Sequence, residues 1–324
     1  MATAVVHPWK GEGMVGAVDI GGTKIAVGVV DGNGRVLSKA ECATEAHRGF
    51  DHAMRRVVEL LAQSANRAAV ELAGIGIGCT GPVDPLTGLV GNVNFLPGWE
   101  GSNPVEVLSS KFKVSAAMEN DADAAALGEA VWGAGNGKTR LICVTIGTGI
   151  GGGVILDGKI YRGVAQNHPE VGHHVIDPMG PPCSCGARGC WETFASGPSM
   201  VEWIKQNAPG SYRSEELTAR EICARAQQGD TWAQRAVARE GFYLGVGLAN
   251  IITMLAPDSL VLGGSVMKSA KLFLDRIHDV IQKNCRLVPY QLVEISLASL
   301  GPDVGLIGAA QVWHHRFAPS GGLS

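Results

Sequence analysis

The sequence of 324 residues has no long hydrophobic run, little net charge and few aromatic residues. The apolar stretches 141–146 and 248–255 are far shorter than a bilayer span, and no basic-then-apolar leader opens the chain. The 27 basic and 30 acidic residues nearly cancel, which gives no electrostatic reason to expect nucleic acid or an anionic membrane as a partner. These absences predict a cytoplasmic protein with a small-molecule ligand.

A framework of paired cysteines is also missing. Cys183, Cys185 and Cys190 cluster, and the other five of the eight cysteines lie singly in mostly apolar surroundings, as expected in a reducing compartment. No linker or low-complexity run divides the chain. Its length and its 46% hydrophobic content nevertheless suffice for two domains, each with its own core.

Glycine, in contrast, is abundant, and two glycine-rich segments share one plan. Residues 18–32 and residues 144–158 each predict a strand, a glycine turn, a second strand and an Asp-Gly turn. The spacing from Asp19 to Asp31 equals that from Thr145 to Asp157. Such a repeat predicts two related halves, with a boundary near Asn120.

Helical and strand patterns alternate between and after these segments, which predicts a mixed α/β fold. The predicted elements are helices over 50–69 and 122–132, strands over 74–78 and 114–118, a mainly helical region over 197–255, a strand over 259–262, a helix over 270–284, a strand over 293–298 and a last helix near Gly305.

The glycine turns are candidates for phosphate binding. Residues 147–152 fit the dinucleotide pattern G-x-G-x-x-G, which would favour a hydride-transfer enzyme, but that fingerprint needs a following helix and here a β pattern follows. Backbone N–H groups in such turns, with the hydroxyls of Thr23 and Thr148, can still donate to phosphate oxygens. Each turn taken alone could equally be a tight hairpin, whereas the repeat of the two favours phosphate binding.

Asp121 is the candidate catalytic base. It lies where an extended run ends and an alanine-rich helix begins, a junction that holds a side chain rigidly at the edge of a sheet. Asn120 and Asp121 also suit helix capping, and Asp123 suits the helix dipole, so a purely structural role stays open for each of them. In the catalytic interpretation, Asp121 accepts the proton of an attacking hydroxyl and Asn120 orients the substrate.

The most specific motif is His173 followed by Cys183, Cys185 and Cys190, with the spacing H-x9-C-x-C-x4-C. One imidazole and three thiolates complete a tetrahedral Zn²⁺ shell, so the metal is predicted to be structural. The alternative is three buried thiols and a solvated histidine. Prolines and glycines around the cysteines indicate a loop with little core to bury thiols, which favours zinc.

Together these motifs resemble the ROK family of sugar kinases and sugar-responsive repressors. The resemblance rests on D-x-G-G-T-K at 19–24, E-N-D at 119–121, G-T-G at 147–149, E-x-G-H at 170–173 and C-x-C-G-x-x-G-C-x-E at 183–192. It implies a duplicated actin-like, ribonuclease-H-type fold with ATP and sugar between two domains. The expected domains are a small α/β domain over 14–120, rejoined by a C-terminal helix at about 305–318, and a large α/β domain over 121–304 with the zinc loop.

The resemblance also implies roles for individual residues, with ATP, Mg²⁺ and a structural Zn²⁺ as cofactors. Those expected around ATP are Asp19, Gly21, Gly22, Thr23, Lys24, Thr148 and Gly149, with Gly263 and Gly264 near the adenosine. Those expected around the sugar are Gly81, Asn94, Asn120, Asp121, Glu170, His173 and Glu192. His173 would then bind zinc through one ring nitrogen and the sugar through the other.

Three classes of protein remain to be separated. A kinase is favoured over a repressor because only about a dozen residues precede the first predicted strand, too few for a helix-turn-helix, and because Asp121 is present. A zinc-stapled binding module would need neither Asp121 nor two phosphate turns. The expected activity is phosphorylation of the 6-hydroxyl of a hexose, glucose first, with N-acetylmannosamine, N-acetylglucosamine and fructose as alternatives. A homodimer is expected from the family.

Overall fold

The computed structural model describes residues 5–6, 13–92, 95–212 and 216–317. Its strands are β1 Met14–Ile20, β2 Lys24–Val30, β3 Val36–Ala43, β4 Leu72–Cys79, β5 Val83–Asp84, β6 Leu89–Val90, β7 Ser115–Asn120, β8 Leu141–Ile146, β9 Ile150–Leu156, β10 Lys159–Ile160, β11 Ser259–Gly263 and β12 Glu294–Leu297. Its helices are α1 Phe50–Ala68, α2 Pro104–Phe112, α3 Asp121–Trp132, α4 Glu192–Ala195, α5 Gly197–Asn207, α6 Ala219–Gln227, α7 Thr231–Leu255, α8 Leu274–Asn284 and α9 Val304–Phe317.

The two large sheets repeat one topology. The first has the order β3-β2-β1-β4-β7 and the second the order β10-β9-β8-β11-β12, while β5 and β6 form a separate small hairpin. In the first sheet β2 is antiparallel to β1 and β3, and β4 is parallel to β1 and β7. The matching strand orders confirm the internal repeat that the glycine-rich segments predict.

The chain divides into two compact units. Unit 1 contains the described residues within Met1–Leu141, Gly153–Pro169 and Ala298–Ser324, and unit 2 contains those within Ile142–Gly152 and Glu170–Leu297. The boundary predicted near Asn120 is based on the sequence repeat, whereas the compact units are defined by which residues pack together. Helix α3 lies in unit 1, and the two divisions of the chain therefore differ.

Helix α9 packs on the first sheet and on α3, within unit 1. The approach is close because glycines line it: a Cβ on Gly76 would lie 1.7 Å from the carbonyl oxygen of Ala309, and one on Gly308 would lie 2.1 Å from that of Ala124. No side chain fits at either position without moving a backbone. Gly76 and Gly308 thus set the position of the last helix.

A buried carboxylate ties α3 to the segment that leads into α9. Glu129, fully buried near the end of α3, accepts N–H bonds from Ala134 at 2.8 Å, Ser299 at 3.0 Å and Leu300 at 3.0 Å. Bonds from backbone donors to a charged acceptor are among the stronger ones in proteins. Glu129 therefore helps to fix α3, whose first residue is Asp121.

Truncating this carboxylate should destabilise the protein. Glu129→Ala leaves several buried N–H groups without acceptors, and we expect a loss of about 3 kcal/mol in the free energy of unfolding. Thermal and urea unfolding measure the effect. The matched control is Glu59→Ala, an exposed position on α1. Equal melting temperatures for the two variants would contradict the anchoring role.

Candidate active site and metal centre

Asp121 is the first residue of α3 and directly follows β7. The N-cap is Asn120, whose side-chain oxygen accepts a hydrogen bond from the Ala122 N–H at 2.8 Å. Asp121 accepts from the same N–H at 2.9 Å. Because Asn120 already caps the helix, capping does not require the Asp121 carboxylate.

A second acid, Asp19, lies near Asp121 in unit 1. A Cβ on Gly78 in β4 would lie 3.6 Å from the Asp121 Cα and 3.9 Å from the Asp19 Oδ1, which places both acids around that glycine. Burial first and the charge of Asp121 second raise the pKa of Asp19 to about 6, while the charge of Lys24 opposes the rise. Because each negative charge disfavours the other, this pair of acids is suited to bind a cation or to hold a proton.

The first glycine turn joins β1 to β2. The Gly21 N–H donates to the Lys24 carbonyl at 2.9 Å, and the Thr44 hydroxyl donates to the Gly21 carbonyl at 2.6 Å. Thr23 and Lys24 are exposed, and the Lys24 ammonium pairs with Glu41 at 2.8 Å. The turn is held from its inner side and presents Thr23 and Lys24 outward.

The second glycine turn joins β8 to β9 in unit 2. The Gly147 N–H donates to the Gly149 carbonyl at 2.9 Å, and the Gly147 carbonyl accepts from Gly197, the first residue of α5, at 2.8 Å. Gly264 has φ +93°, and a Cβ there would lie 2.2 Å from the Ile146 carbonyl oxygen. The turn, the start of α5 and the turn after β11 are therefore neighbours.

Glu192, at the start of α4, lies against this second turn. Its Oε2 accepts the Ile150 N–H at 2.8 Å, and a Cβ on Gly149 would lie 2.3 Å from the same oxygen. In unit 1, a Cβ on Gly81 would lie 2.8 Å from the Asn120 amide nitrogen. The structure thus groups Gly81 with Asn120 and Asp121, and Glu192 with the glycine turn.

The metal ligands predicted from the sequence come together. The ligand atoms of His173, Cys183, Cys185 and Cys190 all lie within 4.8 Å of one another. The Cys183 Sγ lies 3.4 Å from the His173 Nδ1, and the Cys185 and Cys190 Sγ atoms are 3.6 Å apart. Ligands of a tetrahedral Zn²⁺ with usual bond lengths are about 3.5–3.8 Å apart, so the cluster fits a structural zinc site.

A tight loop holds these ligands. The Cys183 N–H donates to the Ala187 carbonyl at 2.8 Å, and the Gly189 N–H donates to the Pro181 carbonyl at 2.8 Å. Because the Nδ1 of His173 faces the thiols, its Nε2 points to the opposite side of the ring. The adjacent His174 has a structural role, since its Nδ1 lies 2.6 Å from the Val171 carbonyl oxygen and its ring packs on Trp191.

Sequence reasoning overlooked a charged network beside Asn120. Glu119, 7% exposed, forms an ion pair with Arg162, and Asp123 is 2% exposed although the sequence suggested only a dipole role for it. A small cavity in unit 1 is lined by Glu119, Asn120 and Asp123 together with His168. The usable signal was the apolar surroundings of α3 in the sequence, because an acid on a helix that is apolar all round has to be buried.

The predicted site residues are distributed over both units. Unit 1 carries Asp19, Gly21, Gly22, Thr23, Lys24, Gly81, Asn120 and Asp121; unit 2 carries Thr148, Gly149, Glu170, His173, Cys183, Cys185, Cys190, Glu192, Gly263 and Gly264; and Asn94 lies outside the described residues. Glu170 and Thr148 are exposed. Among the helices that the structure describes, none is long and apolar enough to span a bilayer.

Proteins of known sequence or structure resemble this chain over most of its length. A glucokinase from Streptomyces coelicolor is 34% identical over 321 residues, which cover 93% of this chain and 97% of the relative. A xylose repressor from Bacillus subtilis is 32% identical over 241 residues, which cover 74% of this chain and 61% of the repressor.

Solved structures agree with the sequence comparison. The structure of a ROK family glucokinase from Streptomyces griseus in complex with glucose and AMPPNP superposes with a TM-score of 0.79 at 32% identity, covering 92% of this chain and 98% of the other. This likeness confirms the predicted duplicated actin-like ATPase fold. The ROK family model matches residues 15–316, and the chain belongs to the ROK family.

Proposed function

We propose that this protein is an ATP-dependent hexose kinase that phosphorylates the 6-hydroxyl of a sugar, with glucose as the first candidate. The observation that carries the proposal is Asp121, a carboxylate fixed at a strand-to-helix junction where Asn120 already provides the cap. The similarity to glucokinases supports a sugar kinase in general, and the complex of the Streptomyces griseus enzyme with glucose and AMPPNP supports ATP as the donor.

Asp121 would act as the general base. As the 6-hydroxyl oxygen bonds to the γ-phosphorus, its proton passes to Asp121, the bond from the γ-phosphorus to the bridging oxygen breaks, and ADP leaves. A carboxylate at the rigid start of a helix is held in one orientation for this transfer. Asn120, with Gly81 packed over its amide, would orient the sugar beside it.

The glycine turns would hold the nucleotide. Backbone N–H groups of Gly22 and Gly149 and the exposed hydroxyls of Thr23 and Thr148 would donate to phosphate oxygens, while Gly21 would shape the first turn through its bond to the Lys24 carbonyl. Lys24 would exchange Glu41 for a phosphate, and Gly263 and Gly264 would lie near the adenosine. Asp19 would face the metal that accompanies ATP. Mg²⁺, when bound, would neutralise charge on the phosphates.

The zinc cluster would have a supporting role in sugar binding. Its four protein ligands fill a tetrahedral shell, so zinc would hold the loop and leave the chemistry to Asp121. The proposed sugar contacts Glu170 and Glu192 flank this loop in sequence, and His173 belongs to both groups. Asn94 completes the proposed sugar set.

The competing functions differ in what they predict. Kinases of N-acetylmannosamine, N-acetylglucosamine or fructose share the proposed chemistry and differ only in the sugar. The second candidate is a sugar-sensing regulator without kinase activity, which the similarity to xylose repressors supports. The cytoplasmic location and the homodimer stay predictions.

A panel of hexoses and N-acetylhexosamines with ATP and Mg²⁺, read by coupled ADP release, tests the function. We expect turnover with glucose and loss of turnover in Asp121→Asn, whose kcat should fall by at least about a hundredfold because the proton acceptor is removed. The melting temperature should change little, since Asn120 retains the cap. Asp51→Asn, in the first turn of α1, is the matched control. Binding of a sugar without any phosphorylation would favour the regulator, and full activity of Asp121→Asn would exclude Asp121 as the base.

Removing the metal should affect the sugar before the nucleotide. We expect one zinc per chain by elemental analysis, and in Cys185→Ser a KM for sugar raised at least about tenfold with ATP affinity retained, because the loop with His173 loses its order. Cys42→Ser, a half-buried thiol on β3 outside the cluster, is the control. Normal sugar affinity in metal-free protein would separate the cluster from the substrate site.

A further inference from the structure

The loop from Arg162 to His168, which we call the 162–168 loop, follows β10 in unit 1 and has a demanding backbone. Ala165 and Gln166 have φ values of 51° and 63°, a region that residues other than glycine rarely adopt. The Gly163 N–H donates to the Asn167 carbonyl at 2.8 Å. Backbone in this region persists only where the surrounding structure holds it, so the loop needs anchors.

Two buried acids lie near the two ends of the loop. Glu119 pairs with Arg162, the first loop residue, and Asp123 lines the same small cavity as His168, the last one. These acids flank Asn120 and Asp121 in sequence, and Asn120 itself lines the cavity. Both ends of the loop therefore lie beside the segment that carries the proposed base, and an ion pair joins the first end to it.

Asp123 has no other explanation in the structure. Asn120 caps α3, so Asp123 is not needed for capping, and its Oδ1 is buried without a hydrogen-bond partner among the described residues. Burial, helped by the charges of Glu119 and Asp121, raises the pKa of Asp123 to about 7 against the opposing charges of His168 and Arg162. Near neutral pH the carboxyl group is thus poised between its two charge states, with an imidazole across the cavity.

We propose that Asp123 is a positioning residue that, together with His168, holds the 162–168 loop beside Asn120 and thereby fixes the start of the segment leading to Glu170. His168 precedes Glu170 by two residues, with Pro169 between them to limit the slack. The inference rests on the proposed function where it involves sugar, because Glu170 is a proposed sugar contact.

The pair should make sugar affinity depend on pH. Below about pH 7 Asp123 retains its proton. As the pH rises above 7, Asp123 ionises next to Glu119 and Asp121, and Arg162 remains as a compensating cation. We therefore expect glucose affinity to decline between pH 7 and pH 8.5 as the anchor weakens.

Calorimetric titration with glucose tests the coupling to substrate. We expect Asp123→Asn and His168→Gln each to raise the Kd for glucose about tenfold at pH 7, to change kcat by less than about threefold and to flatten the pH dependence. The double variant should be no weaker than either single variant, because the two residues act as a unit. Asp51→Asn is the control. Additive losses, or an unchanged Kd and pH profile in both single variants, would overturn the proposal.

A second measurement needs no sugar and separates this proposal from the proposed function. In ¹³C-aspartate-labelled protein, the Asp123 carboxyl signal is identified by its loss in Asp123→Asn. We expect this signal to titrate near pH 7, and its titration to move to higher pH in His168→Gln. The control is His278→Gln, at an exposed histidine on α8, in which the titration should not move. The Gly163 amide should exchange faster with solvent in Asp123→Asn.

These outcomes decide the anchor even if no sugar is phosphorylated. An Asp123 titration insensitive to His168→Gln, or Gly163 exchange equal in Asp123→Asn and Asp51→Asn, would overturn it. If Asp123→Asn does not fold, the exchange rate of the Gly163 amide is compared between His168→Gln and His278→Gln. We expect faster exchange in His168→Gln, and equal exchange would overturn the anchor.

Discussion

The burial of carboxylates at α3 is the constraint on which much of unit 1 depends. This helix is enclosed on almost every side and acids lie on it and beside it, so each acid loses its hydration at a cost in free energy. The structure compensates in three ways. Glu129 receives backbone N–H groups, Glu119 receives a guanidinium, and the pKa values of Asp19 and Asp123 rise so that these acids hold their protons at higher pH. The first two solutions stiffen unit 1. The third leaves acids that respond to a cation, a proton or a ligand placed beside them.

The two glycine turns use one backbone plan for two different surroundings. The first is held by the Thr44 hydroxyl from β-sheet neighbours, and the second by the N-terminus of α5. In both, the inner side of the turn is satisfied by protein groups and the threonine that follows the first glycines is exposed. The two strand pairs therefore share a glycine turn, while the hydrogen bond that closes the turn and the elements that support it differ.

Local features were predictable from the sequence, and long-range contacts were not. The paired strands follow from β-branched runs around glycine turns, and the metal cluster follows because its ligands lie between His173 and Cys190, within one loop. The bond from Ser299 to Glu129 joins residues far apart in the chain, and so does the pairing of Arg162 with Glu119. No spacing rule relates such partners, so only the fold shows that α3 belongs to the first compact unit and that Asp123 and His168 line one cavity.

Helix α9 also has a consequence for the synthesis of the protein. Val15, Ala17 and Val30 of the first two strands share a buried cluster with Leu306 and Ala309 of this helix. On the ribosome those strands emerge long before their partner helix, so the nascent chain carries an uncovered apolar sheet face until α9 has been made, the kind of surface that chaperones shield. Unit 2 is complete at Leu297 and can fold earlier, whereas unit 1, which begins first, finishes last.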